Sequence, residues 1–290
     1  MKHIPLVEIV CDGNEQIGYG HIRRSTALAL HLKKNNIHVR LMGLSEAARE
    51  RLPVLHDSDQ DASVIVLDSF QGLDPYIIKA REKGQINITL DWFGNTVPDI
   101  NIVVYPHQKV NASLSKYIGF EYIILRHEIT NKLPVDSTGG TKKVLVCLGG
   151  ADILNQGHKT AAFLSSKGFD TTLVQGPFAK NQSQDDNFKV VTDPPDLPLL
   201  LTETEWVVTN GGGCFFEALY LGKPAFVLPQ TEFEHRIAKY AEEHNAVLGI
   251  GIKELKDYVP HGLKSVSKNG RKLIDGHGLD RIVRIIEGKL

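Results

Sequence analysis

At 290 residues, 42% of them hydrophobic and 23% charged, the chain suits one large or two medium cored domains. Its 33 basic and 34 acidic residues leave a net charge of −1, so no global field draws it to nucleic acid or an anionic membrane. Cys11, Cys147 and Cys214 lie far apart without CxxC spacing, which argues against a disulfide framework or a zinc knuckle and for a reducing, cytoplasmic setting.

Residues 4–10 read as a first buried strand rather than a signal peptide, since Glu8 and Asp12 interrupt the apolar run. No run approaches the ~18–20 apolar residues of a membrane span. A helix over 21–35 follows, with Ser25, Leu28, Ala29 and Leu32 at i, i+3, i+4 and i+7 on one face. Residues 39–42 form a second strand, and a polar helix carries Glu46, Arg49 and Glu50. Residues 63–68, SVIVLD, form a third strand, free of charge until its end, as a strand buried on both faces should be. A helix over 75–83 and strands at 87–90, 100–104 and 122–125 complete a first half that reads as a doubly wound sheet.

Residues 137–142 are the natural linker, in the only mid-chain stretch rich in Pro, Gly, Ser and Thr. The expected domains are 1–136 and 143–290. The second opens on strand 143–148, then the turn Gly149-Gly150-Ala151-Asp152 and a helix over 156–167. Strands at 169–174 and 188–191 follow, then the rigid connection 193–198 and a helix over 197–204. The stretch WVVTNGGGCFFEALYLGKPAFVLPQ reads as strand, glycine turn, helix and second apolar strand. Gly211 to Gly213 let the backbone take positive φ, and the helix behind them aims its free N–H groups at the turn, the setting of a phosphate site. Glu217, one helical turn in, is placed to reach sugar hydroxyls. A tight strand-to-helix connection with no ligand has the same pattern. The chain closes on an amphipathic helix carrying Ile282, Val283, Ile285 and Ile286.

In doubly wound sheets ligands bind beyond the carboxyl ends of the strands. Asp12, Asp68 and Asp91 each lie at such an end, where a turn or helix cap is the ordinary use of an aspartate. Gly18, Tyr19, Gly20 and His21 form the loop opening the first helix, with Arg24 one turn on. A histidine at a helix N-terminus feels the positive dipole end, which favours the neutral imidazole that a general base needs. An N-cap or exposed histidine fits the same position. GYGH lacks the third glycine of GxGxxG, no GxxxxGK[ST] is present, and the histidines show no HExxH spacing. NAD enzymes, P-loop ATPases and metal sites are therefore poor readings.

The run from Asp12 through IGYGHIRRSTALA, the strand ends LDSF and LDWF, YIGFEYIILRHEI, LGGAD, NGGGCFFEALYLGKP and DGHGLDRI stand in that order over nearly the whole chain. Together they resemble the nucleotide-sugar hydrolase family that includes pseudaminic-acid-pathway UDP-sugar hydrolases and spore-coat polysaccharide proteins. The second half also resembles the donor domain of lipid-II-type GlcNAc transferases. The resemblance implies a GT-B-like α/β fold, two Rossmann-like domains facing each other across a cleft. It implies His21 as the base activating water, with Asp12 as the first choice to orient it. Gly18, Tyr19, Gly20, Arg24, Asp68 and Asp91 would line the sugar side. Gly149, Gly150, Asn210, Gly211 and Gly212 would cradle the diphosphate, Glu217 would hold the ribose, and Glu234 and His235 would sit near sugar or pyrophosphate. Three positions depart from the pattern. Val10-Cys11-Asp12 stands for the family's Arg-Ala-Asp, Asp91-Trp92 for Asp-Asp, and Tyr105 for Asn, all in the sugar half.

The implied reaction is metal-independent and cofactor-free hydrolysis of a UDP-2,4-diacetamido-2,4,6-trideoxyhexose type of substrate. Water attacks C1 with inversion, in nonulosonic acid or surface polysaccharide biosynthesis. A GT-B glycosyltransferase using the same donor with a sugar acceptor is the rival, and a noncatalytic nucleotide-sugar binder is a third reading. No nucleic acid partner or membrane insertion is expected, and the chain is expected to be a monomer or weak oligomer.

Overall fold

The computed structural model describes residues 5–13, 19–55, 60–69, 72–104, 117–176 and 187–290. Two compact units divide the chain, Met1–Arg126 with Gly276–Leu290, and His127–Asp275.

Unit 1 runs β1 (Leu6–Cys11), α1 (Gly20–Lys34), β2 (His38–Gly43), α2 (Glu46–Arg51), β3 (Val64–Asp68), α3 (Asp74–Glu82), β4 (Ile86–Leu90), β5 (Ile100–Val103) and β6 (Tyr117–Ile118). These strands form one parallel sheet in the order β2-β1-β3-β4-β5-β6. LVEIVC and VIVLD are buried at every position, as strands covered on both faces must be. Leu28, Ala29 and Leu32 of α1 pack on Val7, Ile9, Val64 and Val66. The chain leaves β1 for β2 on one side and returns to β3 on the other, so strand order reverses between β1 and β3. The crevice beyond their carboxyl ends is where such a sheet binds ligands. Cys11 and Asp68 end those two strands in register.

Unit 2 begins with α4 (His127–Thr130) and repeats the logic through β7 (Lys143–Cys147), α5 (Gly157–Ser166), β8 (Asp170–Gln175), β9 (Lys189–Thr192), α6 (Leu197–Glu203), β10 (Trp206–Thr209), α7 (Gly213–Tyr220) and β11 (Ala225–Val227). Then come α8 (Glu232–Glu243), β12 (Gly249–Ile250), α9 (Ile252–Asp257) and α10 (Leu263–Leu273). The sheet order is β12-β11-β10-β7-β8-β9, again parallel, and its order reverses between β7 and β10. Gly149 follows the first of those strands and Gly211 the second.

The chain then returns to unit 1 as α11 (Gly278–Glu287). Ile282, Val283 and Ile286 enter the core of β1 and α1, and Asp280 pairs with His31 Nε2 at 2.8 Å. Only glycine fits at 278, because a Cβ there would lie 2.0 Å from the carbonyl oxygen of Ile123. The expected boundaries thus shift at both ends. The division falls after Arg126 rather than at 136, because the segment beyond it is tied to unit 2. Val135 N donates to Leu221 O, Asp136 pairs with Arg271, and Ser137 N donates to Ser267 Oγ. The expected strand at 122–125 is also replaced. Gly119, at φ +146°, turns the chain out of β6 into a 3₁₀ turn over Phe120–Tyr122, and residues 123–126 after it pair with no strand among the described residues. Among the described residues no helix is long and apolar enough to cross a membrane.

Candidate functional site

The reversal point of unit 1 holds a buried charged network. His21, 4% exposed, sets Nδ1 at 2.6 Å from Asp68 Oδ1. Arg24, one helical turn on, donates from Nε to Asp68 Oδ2 at 2.8 Å and from a terminal nitrogen to Oδ1 at 2.5 Å. Its other terminal nitrogen donates to Asp91 Oδ2 at 2.6 Å. Ser25 Oγ donates to Asp68 Oδ2 at 2.8 Å. Helical spacing brings positions 21, 24 and 25 onto one carboxylate. Burial alone would raise the Asp68 carboxyl, but the charges and hydrogen bonds of Arg24 and His21 hold it well below the usual carboxylate range. Burial would likewise lower Arg24, and the two aspartates more than reverse it. Burial first, then the Asp68 charge, pushes the Cys11 thiol up to about 12.

The carboxylate that meets the His21 imidazole is therefore Asp68 and not Asp12. Asp12 accepts from Gly13 N at 2.8 Å and Ser45 Oγ at 2.6 Å, which makes it the brace of the loop entering α2. Of the two expected on the sugar, Arg24 bonds Asp68 and Asp91 and lies 3.3 Å from His21 Nδ1, and Asp91 accepts from Arg24 and Val104 N. Asp91 keeps its place at φ +53° because Val104 N donates to its Oδ1 at 2.9 Å. Tyr19 lies beneath Arg51, whose guanidinium carbon sits 4.1 Å from the ring centroid. Gly20 is exposed with open space where a Cβ would stand. Gly18 and Tyr105 lie outside the described residues. Trp92, where the resembled family carries an acid, packs against Val10, Leu67, Leu73 and Ile77.

The reversal point of unit 2 is a pair of glycine turns. Gly149 takes φ +81°, and a Cβ there would meet Asn210 Nδ2 at 3.0 Å. Gly150 packs backbone to backbone on Gly176, where a Cβ would lie 2.3 Å from the Gly150 oxygen. None of Gly211, Gly212 and Gly213 takes positive φ, contrary to expectation. Glycine is needed at 211 because a Cβ would lie 2.6 Å from the backbone oxygen of Glu234 at the start of α8. Gly211→Ala should therefore push α8 off the turn, costing about 1–3 kcal/mol in urea unfolding. An unchanged urea midpoint would show that this contact does not require glycine. Helix α7 has no side-chain N-cap, and of its first N–H groups that of Phe215 donates to Gly212 O at 3.0 Å.

Glu234 is the clamp of this turn rather than an outward contact. It accepts from Asn210 Nδ2 at 2.6 Å and Gln230 N at 2.7 Å, with further bonds from Thr231 and Gly211 backbone. Burial pushes its carboxyl up against the pull of those donors. Thr231 Oγ1 accepts from Glu234 N at 3.2 Å, so residues 231 to 234 form a capping box. Asn210 Oδ1 is buried with no hydrogen bond, an acceptor that a ligand N–H or O–H would satisfy. Gln230, which the sequence did not single out, ties the two turns together by donating from Nε2 to Leu148 O at 2.8 Å and accepting from Leu154 N at 3.2 Å. Glu217, expected to reach outward, is 8% exposed. His235 lies half-buried in the first turn of α8. Among the described residues no group of three His, Cys, Asp or Glu side chains is arranged to hold a metal ion.

No protein-family model matches the chain. It is 24% identical over 277 residues to an uncharacterised protein of Methanocaldococcus jannaschii, covering 79% of this chain and 56% of that one. It is 26% identical over 214 residues to the spore coat polysaccharide biosynthesis protein SpsG of Bacillus subtilis, covering 65% of this chain and 62% of that one. The chain thus spans less than two thirds of the length of these curated relatives. Among solved structures, the kitacinnamycin glycotransferase matches with a TM-score of 0.70 at 17% identity, covering 100% of both chains. MurG of Acinetobacter baumannii matches with 0.65 at 12% identity, covering 98% of this chain and 99% of that one. A UDP-N-acetylglucosamine 2-epimerase matches with 0.58 at 12% identity, covering 98% of this chain and 96% of that one. The fold is that of the GT-B glycosyltransferases, two parallel-sheet α/β domains of six strands each.

Proposed function

We propose that the protein hydrolyses a UDP-activated amino or deoxy sugar, of the diacetamido-trideoxyhexose type, to free sugar and UDP. The observation that carries this reading is the buried His21–Asp68 pair at the reversal point of unit 1. A carboxylate on Nδ1 fixes the ring and directs base chemistry to Nε2. Water gives its proton to Nε2 as its oxygen bonds C1, and the C1–O bond to UDP breaks with its electrons going to the diphosphate. One such displacement inverts C1. The growing charge on the diphosphate falls to the Gly149 and Gly211 turns and the N-terminal end of α7, which has no side-chain cap, with no metal required. The partial match to a spore coat polysaccharide protein supports a place in surface polysaccharide synthesis.

The same base would equally deprotonate a sugar hydroxyl, and the glycosyltransferases among the structural neighbours favour that second reading. Incubation with a panel of UDP-sugars in ¹⁸O water, without acceptor, separates them. Fast UDP release with label in the sugar is expected. Label in the phosphate would mean attack at phosphorus and would sink the His21 mechanism. Tight binding with almost no release would make the protein a transferase.

A further inference from the structure

We propose that Arg24 and Asp91 set the proton affinity of His21, Asp91 from outside its contact shell by way of Arg24 and the Asp68 carboxylate, and Arg24 both through Asp68 and directly, its terminal nitrogen lying 3.3 Å from His21 Nδ1. The inference deepens the base role of His21 and takes its catalytic meaning from that reading. Its physical content lies in the charges of the network. One guanidinium lies between two carboxylates, Asp68 and Asp91, and all three side chains are largely or wholly shielded from solvent. With His21 neutral, the group carries one negative charge in excess. The proton that His21 takes from water cancels it.

Each partner has a separate effect. Arg24 meets Asp68 with Nε and a terminal nitrogen, which draws that carboxylate away from the imidazole. Without it, a bare buried carboxylate 2.6 Å from Nδ1 would hold the ring as imidazolium and leave no base. Asp91 draws the other end of the guanidinium to itself at 2.6 Å, which restores part of the negative field at Asp68. Without Asp91, Arg24 and Asp68 would close as a neutral pair and the imidazolium would lose its stabilising charge. The left-handed backbone of Asp91, fixed by Val104 N on its Oδ1 and by its own N–H to Ile102 O at 2.8 Å, is spent on presenting Oδ2 to Arg24.

Among the other described groups near the network, Cys11 and Ser25 are neutral, and the Asp12 carboxylate, whose charge reaches Cys11, is common to the wild type and every variant compared. From the end of β1, Cys11 faces Asp68, Arg24 and Ser25 as a thiol. Asp12, also near Cys11, is held by Gly13 N and Ser45 Oγ. From α1, Ser25 donates a neutral hydroxyl. Asp91 is thus a positioning residue that acts through Arg24 and Asp68, and Arg24 one that acts through Asp68 and from its own place beside Nδ1.

The test is an NMR titration of the His21 imidazole in the full chain without substrate, its signal assigned by loss in His21→Asn. Asp91→Asn is expected to move the midpoint down and Arg24→Met to move it up, each by about one pH unit or more. A merely structural role would move both the same way, so shifts of like sign, or an unmoved midpoint in Asp91→Asn, overturn the proposal. If Arg24→Met fails to fold, Arg24→Lys replaces it. Lysine keeps the charge and loses the fork, so its midpoint should stay near wild type, and a rise of about one pH unit or more would overturn the proposal. UDP release is followed in parallel. Opposite shifts without release would sink the hydrolase reading and leave the charge control standing. Release with an immobile midpoint would do the reverse.

Discussion

His21→Asn is expected to cut turnover of the UDP-sugar by ~10²-fold or more, with UDP affinity little changed. Asparagine is the informative replacement because its amide nitrogen takes the place of Nδ1 and can still donate to Asp68. The Arg24–Asp68–Asp91 network and the packing around a side chain only 4% exposed should then survive. What disappears is Nε2, the acceptor for the water proton. The Gly149 and Gly211 turns, proposed to hold the diphosphate, belong to unit 2 and His21 to unit 1. Steady-state release assays and calorimetry with UDP measure the two effects separately. Loss of UDP affinity at unchanged turnover of bound substrate would make His21 a binding residue. Unchanged turnover with intact affinity would remove it from the chemistry.

The fold was legible wherever the chain writes its structure locally. Runs such as LVEIVC and VIVLD can only be strands buried on both faces, and the alternation with helices implied parallel sheets. The glycine turns stood out because each follows an apolar strand and precedes a helix, and both lie at the one point where the sheet order of unit 2 reverses. What stayed hidden depends on distant partners. Asp12, Asp68 and Asp91 look alike in sequence, each at a strand end. They are told apart by Ser45, which claims Asp12 from 33 positions away, and by the reach of His21, Arg24 and Ser25 to Asp68. Gly211 looked like a positive-φ residue, but its constraint is steric and comes from Glu234. The stripe of Ile282, Val283 and Ile286 announced a buried helix without saying whose core it enters.

The same distinction separates Glu234 from the ligand contact its place suggested. A carboxylate that accepts from Asn210, Gln230, Thr231 and Gly211 has little capacity left for a substrate. Its work is to hold the Gly211 turn against α8, much as Gln230 holds the Gly149 turn. Both places therefore follow one plan, in which a carboxylate, buried in unit 1 and half-buried in unit 2, fixes the groups at a strand-order reversal: an imidazole in unit 1 and a glycine turn in unit 2.

Asp68→Ala is expected to have the larger effect on stability, about 3–5 kcal/mol in urea unfolding of unit 1. Asp68 is fully buried, and removing it leaves Arg24 with one of its two carboxylates and strips Ser25 Oγ and His21 Nδ1 of their acceptor. The unfavourable term is the guanidinium left buried with half its partners, more than the lost packing of a small side chain. The pH dependence distinguishes the two. Arg24 and His21 hold the Asp68 carboxyl below its ordinary value in the folded chain, despite the upward push of burial. Ionised Asp68 therefore favours the folded state above the unfolded-chain value of about 4, and that contribution is lost as pH falls toward the folded value. The stability gap between wild type and Asp68→Ala should be widest near neutrality and narrow steadily below about pH 4. A gap of the same size at every pH would trace the loss to packing and remove the charge network from the account of unit 1.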